Sequence, residues 1–291
     1  MQEVHKNRCY INVFENITEL SNYITKRKRK PGRSNDSENT GDFHFYGTNS
    51  FEESIELLKY GDEELYKKVL EEKNNIKIDK MLGNLRKRQT YENNVYGCVP
   101  NVPAYLKGNP VNMINNVKNV PSHKIINIFL NIRVSAFVDI EDVIKIGTKY
   151  LSIIDLLEKN GYRCNLYSGV ANSGHSEYSY MLVKVKTDKE PLNLKKICFT
   201  IANASMQRRI KFKWMEVNDS REDMTNHGYG RPDNENHTKD VLKQYLKEEF
   251  IIWTYERDNN SKTVEEIINN LNLFNFYIFL FFLKLIYKIF S

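Results

Sequence analysis

The stretch 124–168 constrains the fold most, because it combines a strand, a helix and a second strand in one continuous run. Lys124–Val134 is almost wholly apolar, which is typical of a strand buried on both faces of a helix-covered parallel sheet. Tyr162–Tyr167 is again strand-like. Between the two, Asp139 can cap a helix and Gly161 can end it. This order predicts a right-handed βαβ unit. The apolar residues at helical spacing are Val143, Ile146, Tyr150, Ile154 and Leu157.

Shorter periodic segments lie on both sides of this unit and alternate between strand and helix patterns. We therefore predict an α/β protein with an open, largely parallel sheet flanked by helices, and a small α+β N-terminal region. The predicted strands are Arg8–Phe14, Phe43–Gly47, Glu177–Lys186, Ile210–Val217 and Phe250–Tyr255. The predicted helices are Asn16–Thr25, two short helices beginning near Ser50 and Asp62, Leu192–Ile201 and Thr263–Leu271.

Changes in composition divide the chain into five predicted regions. A polar stretch with a basic start, KRKRKPGRSNDSENTG, carries no apolar anchor and predicts a flexible linker. The regions are a strand and helix at 1–25, the basic linker at 26–41, a helical segment and connection at 42–95, an α/β core at 96–270 and a hydrophobic tail at 271–291.

Charge and cysteine content exclude several classes of protein. The net charge of +6 is modest for 291 residues, so the chain is not a broadly basic nucleic-acid binder. Its four cysteines are scattered without a CxxC pair, and a disulfide framework is not expected. No secretory signal opens the sequence, which predicts a cytoplasmic location in a host cell.

The motifs that commonly carry catalysis are absent or incomplete. The segment 169–176, GVANSGHS, has the spacing of a phosphate-binding loop, but His175 stands where that loop needs lysine. A strand follows it instead of a helix, so we predict a hairpin or a connecting loop there. The histidines show no metal-ligand spacing, and no carboxylate is singled out as a general acid or base. We predict no cofactor, no metal and no catalytic residue.

The segment 96–120 contains four of the seven prolines and cannot form one long regular element. It is also too apolar for a free linker, so we predict an ordered loop packed on the sheet, with Val99, Val102, Tyr105, Leu106 and Met113 buried. Rigid ordered loops often carry binding sites, and a purely structural strap is an equal alternative. The candidate binding residues of this loop are Pro100, Asn101, Pro103, Asn109 and Asn112.

Two groups of basic residues could bind nucleic acid or another anion. The sequence ASMQRRIKFKW places an arginine pair beside basic and aromatic residues, and arginine binds phosphate or carboxylate bidentately. Alternatively, that pair forms an internal ion pair and the KRKRK run is a solvated linker. The candidate residues are Lys26, Arg27, Lys28, Arg29 and Lys30 in the run, and Arg208, Arg209, Lys211 and Lys213 in the second group.

The tail, LNLFNFYIFLFFLKLIYKIFS, is almost continuously apolar from Phe276 to Ile289 except for two lysines. A membrane span needs about 20 apolar residues, which makes this tail marginal. It could associate with a membrane through residues 276–290, pack on the body, or be an extension of the domain.

Several segments together resemble a family of uncharacterised phage and prophage proteins over residues 40–270. They include FYGTNSFEESIELLKYGDEEL, VYGCVPNVPAYLKGNPVNMIN, ASMQRRIKF and GYGRP. The central unit is similar to a von Willebrand factor A-like domain, in which the first strand ends in a DxSxS metal site. At the matching positions this chain has Asn131, Arg133 and Ser135. A hard cation needs negatively charged oxygen ligands, so the resemblance implies a core without an intact metal site.

These features favour a non-enzymatic protein that acts by binding. The expected partner is a protein, such as a virion or replication component, or nucleic acid, in virion assembly or DNA-associated steps. The alternative is a nucleic-acid- or phosphoester-processing enzyme whose site lies near the proline-rich loop, Arg208 and Arg209.

Overall fold

A computed structural model of the chain describes residues 1–40, 42–75, 90–117, 125–133, 135–159, 162–225 and 228–255. Its main sheet has the strand order β1-β2-β8-β7-β6-β10, with the short β9 paired to β7. A second, three-stranded sheet has the order β3-β5-β4. The strands are β1 (Gln2–Lys6), β2 (Cys9–Phe14), β3 (Thr90–Asn94), β4 (Val99–Pro100), β5 (Met113–Val117), β6 (Ile125–Asn131), β7 (Arg163–Ser173), β8 (Tyr178–Lys186), β9 (Arg231–Pro232) and β10 (Phe250–Thr254).

Strands β10, β6 and β7 are adjacent and parallel. Strands β7 and β8 form the predicted antiparallel hairpin, and β8 in turn pairs in parallel with β2. The α/β class and the largely parallel sheet flanked by helices are therefore confirmed. The central βαβ prediction is also confirmed in its elements, because the long helix α6 (Ile140–Lys159) connects β6 to β7.

The helices cover both faces of the main sheet and bury an apolar cluster on each. The larger cluster joins Ile128 and Leu130 of β6 to helices on one face, whereas Phe129 of the same strand packs with the helix Glu235–Leu246 on the other. This alternation follows from the two-residue period of a strand. The remaining helices are α1 (Ile17–Lys26), α2 (Phe43–Tyr46), α3 (Phe51–Tyr60), α4 (Glu63–Asn75), α5 (Val102–Leu106), α7 (Leu194–Ala202), α8 (Phe212–Val217) and α9 (Glu235–Leu246).

Two predicted strands are helical in the structure. Residues 43–46 form α2, and residues 210–217 belong to a π-helix (Met206–Lys211) that continues into α8. The strand prediction for 210–217 is wrong. Lys211, Lys213 and Glu216 are buried together with their apolar neighbours, so this segment has no solvent-exposed face.

The N-terminal region is part of the main sheet. All six residues of β2 are buried, and the strand lies between β1 and β8. The segment 26–40 packs along residues 215–225 and is not a flexible linker. Its Arg33 is buried and donates to the carbonyl oxygens of Met215, Asn218 and Ser220 at 2.6, 2.8 and 2.8 Å. Polar composition misled the prediction because these polar groups are satisfied inside the fold.

The proline-rich segment forms β4, α5 and β5 instead of a loop buried on the main sheet. Val99, Val102, Tyr105 and Leu106 are 54–77% exposed, so their predicted burial is wrong. The prolines fit local positions: Pro100 lies in the two-residue β4, and Pro103 lies in the first turn of α5, where a missing amide hydrogen costs little.

Several predictions fall outside the described residues. They concern Gly161, His227, the helix Thr263–Leu271 and the hydrophobic tail. Within the described ranges, no helix combines the length and apolar character needed to cross a membrane.

Candidate anion-binding pocket

A pocket of about 390 Å³ opens where β6 and β10 end. These strands are parallel neighbours, and β6 leads through α6 to β7 on its other side. The carboxyl ends of neighbouring parallel strands form the edge at which open α/β sheets bind ligands. We call this site the cationic pocket; its lining includes Arg133, Arg208, Ser135, Gln207, Phe45 and Phe212.

Arg133 enters the cationic pocket from the segment that follows β6. Its guanidinium donates to Asn172 Oδ1 at 3.0 Å and to the carbonyl oxygen of Tyr229 at 2.8 Å, and it also contacts the carbonyl oxygen of Gly230. Burial lowers the pKa of Arg133 to about 10, because desolvation disfavours the charged form. None of these acceptors is a carboxylate, so its positive charge is not neutralised by them.

Arg208 enters from the π-helix and is only 1% exposed. It donates to the carbonyl oxygens of Phe45 at 2.5 Å, Ser135 at 3.1 Å and Val138 at 2.7 Å. Its Nε atom is buried without a hydrogen-bond partner. Burial lowers the pKa of Arg208, while the more remote Asp139 and Asp42 act in the opposite direction. π-Helical turns occur often at functional sites.

Lys211, three residues after Arg208, is completely buried, and its Nζ atom has no hydrogen-bond partner. Burial lowers the pKa of Lys211 well below its ordinary value, and the positive charge of Arg133 lowers it further. Lys211 itself is not part of the pocket lining.

The described residues that line the cationic pocket include no carboxylate and no histidine. Buried cations normally have an acidic partner, because an uncompensated buried charge is costly. The two arginines of the lining donate only to neutral groups and therefore form a local excess of positive charge. Such a site can hold a phosphate or carboxylate group.

The predicted basic surface around Arg208 and Arg209 does not exist. Arg208, Arg209, Lys211 and Lys213 are each at most 7% exposed. Arg209 points away from solvent and donates to Thr48 Oγ1 at 2.9 Å and to the carbonyl oxygens of Ser37 and Asn39 at 3.0 and 2.8 Å. Lys213 pairs with Glu38. Of these four predicted residues, the structure brings only Arg208 into the lining of the cationic pocket.

The basic run 26–30 lies apart from the lining of the cationic pocket. Arg27 and Lys30 both pair with Asp219, and Arg29 donates to the carbonyl oxygen of Arg33. Lys26 and Lys28 are exposed. Part of the run therefore holds the segment 26–40 in place, and part of it faces solvent.

The candidate residues of the proline-rich segment serve local structure in the second sheet. Asn101 Oδ1 accepts from the amide of Ala104 at 3.2 Å and caps α5. Asn109 Oδ1 accepts from the amide of Val111 at 3.0 Å, and Asn112 donates to the carbonyl oxygen of Asn109 at 2.9 Å. Together with Pro100 and Pro103 they are absent from the lining of the cationic pocket.

The phosphate-loop-like segment holds a carboxylate of the protein itself. The amides of His175, Ser176 and Glu177 donate to the Glu222 carboxylate at 2.6, 2.8 and 2.8 Å. Burial acts to raise the pKa of Glu222, but these hydrogen bonds outweigh it and lower the pKa below its ordinary value. The amides of this segment are thus occupied by a carboxylate of the protein itself. Among the described residues, no group of three His, Cys, Asp or Glu is placed to hold a metal ion.

Sequence reasoning missed how the cationic pocket is assembled. Asn131, Arg133 and Ser135 were singled out only as a lost metal site, yet the carboxyl end of a parallel strand is the expected place for ligand contacts. Asn131 is buried, and its Oδ1 accepts from the amide of Ala171 at 3.2 Å. The aromatic lining residues Phe45 and Phe212 gave no local signal.

Fold and site together define an α/β protein with a cationic pocket at the carboxyl edge of its parallel strands. Residues 2–275 match the family described as Domain of unknown function (DUF7192), and the chain belongs to that family. No curated protein and no solved structure matches the chain.

Proposed function

We propose that this chain is a binding protein whose cationic pocket holds an anionic group of its ligand, either phosphate or carboxylate. The observation that supports this proposal is the pairing of Arg133 with Arg208 in a pocket whose described lining contains no acidic side chain. The Arg208 guanidinium donates to the carbonyl oxygens of Phe45, Ser135 and Val138, so none of these hydrogen bonds neutralises its charge.

Binding is a better account than phosphoester hydrolysis. Hydrolysis without a metal needs a group that activates water or serves as a nucleophile, most often histidine or a carboxylate. The described lining offers only weak hydroxyl groups, those of Ser135, Thr254 and Tyr255. Burial raises the pKa of Tyr255 well above its ordinary value, so this phenol does not ionise near neutral pH.

The wider biological setting stays a prediction. It comprises an origin in phage or prophage, a von Willebrand A-like core, a role in virion assembly or DNA-associated steps with a protein or nucleic-acid partner, a cytoplasmic location and membrane association through residues 276–290. An anion-binding pocket is compatible with a phosphorylated or acidic partner, which is the part of this setting that the geometry supports.

The test is thermal unfolding of the full chain in phosphate, sulfate or acetate against chloride at equal ionic strength. An anion that binds only the native state at 100 times its Kd stabilises by about 2.7 kcal/mol, so Tm should rise by several degrees. The variant Ala136→Glu places a carboxylate in the pocket without altering either arginine. It should lose the rise in Tm, whereas the neutral control Ala136→Gln should keep most of it.

The control separates charge from size, because glutamate and glutamine have nearly the same volume. Ala136 is exposed on a turn, so both variants should fold. The proposal fails if no oxyanion raises the Tm of the native protein above chloride, or if Ala136→Glu responds as strongly as Ala136→Gln.

A further inference from the structure

Phe137 directly follows Ala136, a residue of the cationic-pocket lining, and is 92% exposed. It lies on a turn in which the amide of Val138 donates to the carbonyl oxygen of Ser135 at 3.2 Å. Ser135 and Ala136 of the same turn line the pocket. The exposed Phe137 ring therefore belongs to the same turn as two residues of the pocket lining.

Arg208 holds both ends of this turn. Its Nη2 atom donates to the carbonyl oxygens of Ser135 and Val138, the residues on either side of Ala136 and Phe137. The guanidinium that would meet an anion thus also fixes the backbone that presents the aromatic ring. This shared anchoring distinguishes Phe137 from a single apolar residue scattered on the surface, which would need no explanation.

The aromatic rings inside the pocket already have partners. The Arg208 guanidinium lies 4.4 Å from the centre of the Phe45 ring, and the Phe212 ring stacks on Tyr229 at 3.7 Å. Phe137, by contrast, leaves almost its whole surface to solvent. A planar heterocycle attached to an anion in the pocket could stack on it, and base–aromatic stacking tolerates any base.

We propose that the ligand of the cationic pocket is a nucleoside phosphate, with its phosphate near Arg133 and Arg208 and its base stacked on Phe137. This inference rests on the proposed anion-binding function. A free nucleotide and the phosphorylated end of a nucleic-acid strand share this chemistry. The pocket volume of about 390 Å³ is in the range of small-molecule sites, and the base would occupy its rim.

The experiment compares AMP with ribose 5-phosphate, which carries the same phosphate and sugar without a base. Titration calorimetry on the full chain should give at least about fivefold tighter binding for AMP, the lower end of what one stacked base contributes. The variant Phe137→Ala should bind both compounds equally. Tyr60→Ala removes another exposed aromatic residue, 81% exposed and outside the pocket lining, and should keep the preference for AMP.

A second set of titrations separates the two sources of ligand. A short single-stranded oligonucleotide with a 5′-phosphate is compared with the same strand without it and with AMP. Binding of the phosphorylated strand alone, or more tightly than AMP, assigns the pocket to strand ends; binding of AMP alone assigns it to free nucleotides.

The outcomes also separate the two proposals. Equal affinity of the native protein for AMP and ribose 5-phosphate overturns the nucleoside assignment while leaving anion binding intact. A preference for AMP that survives Phe137→Ala overturns the role of the ring. If neither compound nor inorganic phosphate binds, the anion-binding function itself is wrong.

Discussion

A lysine with a completely buried side chain destabilises a fold unless it gives up its proton or meets a negative charge. Lys211 is such a residue, and the Arg133 charge adds repulsion to the cost of desolvation. A hydrophobic residue of similar length would avoid both effects.

Replacing Lys211 by methionine should stabilise the unliganded protein at pH 7. In the folded state the pKa of Lys211 lies below its unfolded value of 10.5, so the unfolded chain binds more protons between these two values. The native protein should then gain stability as pH rises toward 10.5, by about 1.4 kcal/mol for each unit by which the pKa is lowered. Lys211→Met should lose this pH dependence. Urea unfolding at pH 7, 8 and 9 measures both effects.

Lys145→Met is the matched control, since Lys145 is exposed on α6. It should leave the slope of stability against pH unchanged. The same slope in Lys211→Met and the native protein would mean that Lys211 keeps an ordinary pKa in the fold.

Secondary-structure elements with one clear period could be predicted from sequence, and the others could not. Strand β6 was predicted from its almost continuous apolar run, helix α6 from apolar residues at helical spacing, and β7 from a strand-like segment that follows the helix. The strand predicted at 210–217 is wrong because the charged residues of this part of the chain are buried. Arg208 and Arg209 donate to backbone carbonyl oxygens, and Lys213 pairs with Glu38 and Glu216. Local pattern cannot show such long-range partners.

The cationic pocket could not be predicted from the sequence for the same reason. Arg133 follows a strand and Arg208 belongs to a π-helix, and only the completed sheet brings them together. The sequence does show two arginines capable of binding an anion. It does not show that Arg209, one of the strongest candidates for anion binding, instead donates its hydrogen bonds to Ser37, Asn39 and Thr48.

Helices α6 and α7 approach each other closely at Gly147. A Cβ atom at this position would lie 2.7 Å from the Cα of Ala202 and 2.7 Å from the carbonyl oxygen of Ile201. That carbonyl also accepts the hydroxyl hydrogen bond of Tyr255, a residue of the pocket lining. The spacing of these helices therefore affects both stability and the cationic pocket.

Gly147→Ala should destabilise the protein by about 1–3 kcal/mol, because the backbones must separate to admit the methyl group. Helix propensity alone would favour alanine by about 1 kcal/mol, so the two effects have opposite signs. Lys145→Ala, an exposed substitution in the same helix, should change Tm little. An increase of Tm in Gly147→Ala would show that the helices are not in contact there.

At the scale of the whole molecule, the N-terminal 40 residues are part of one folding unit with the rest of the main sheet. Strand β2 pairs with β8 through six residues, and its Asn12 accepts a hydrogen bond from the buried Trp214 at 2.8 Å. The segment 26–40 then contacts residues 215–225, where Arg33 satisfies several carbonyl groups. The N-terminal boundaries predicted from composition do not correspond to gaps in this packing.

A chain that begins at residue 41 should therefore fail to unfold cooperatively. It would lack β2 and therefore leave one edge of β8 unpaired, with Tyr180, Met181, Leu182 and Val183 losing a buried neighbour strand. Supplying residues 1–40 as a separate peptide should restore a cooperative thermal transition. The matched control deletes only residues 2–6, the mostly exposed β1, and should keep that transition at a modestly lower Tm. A cooperative transition of the chain 41–291 near the Tm of the full chain would show that β2 only covers an already stable sheet.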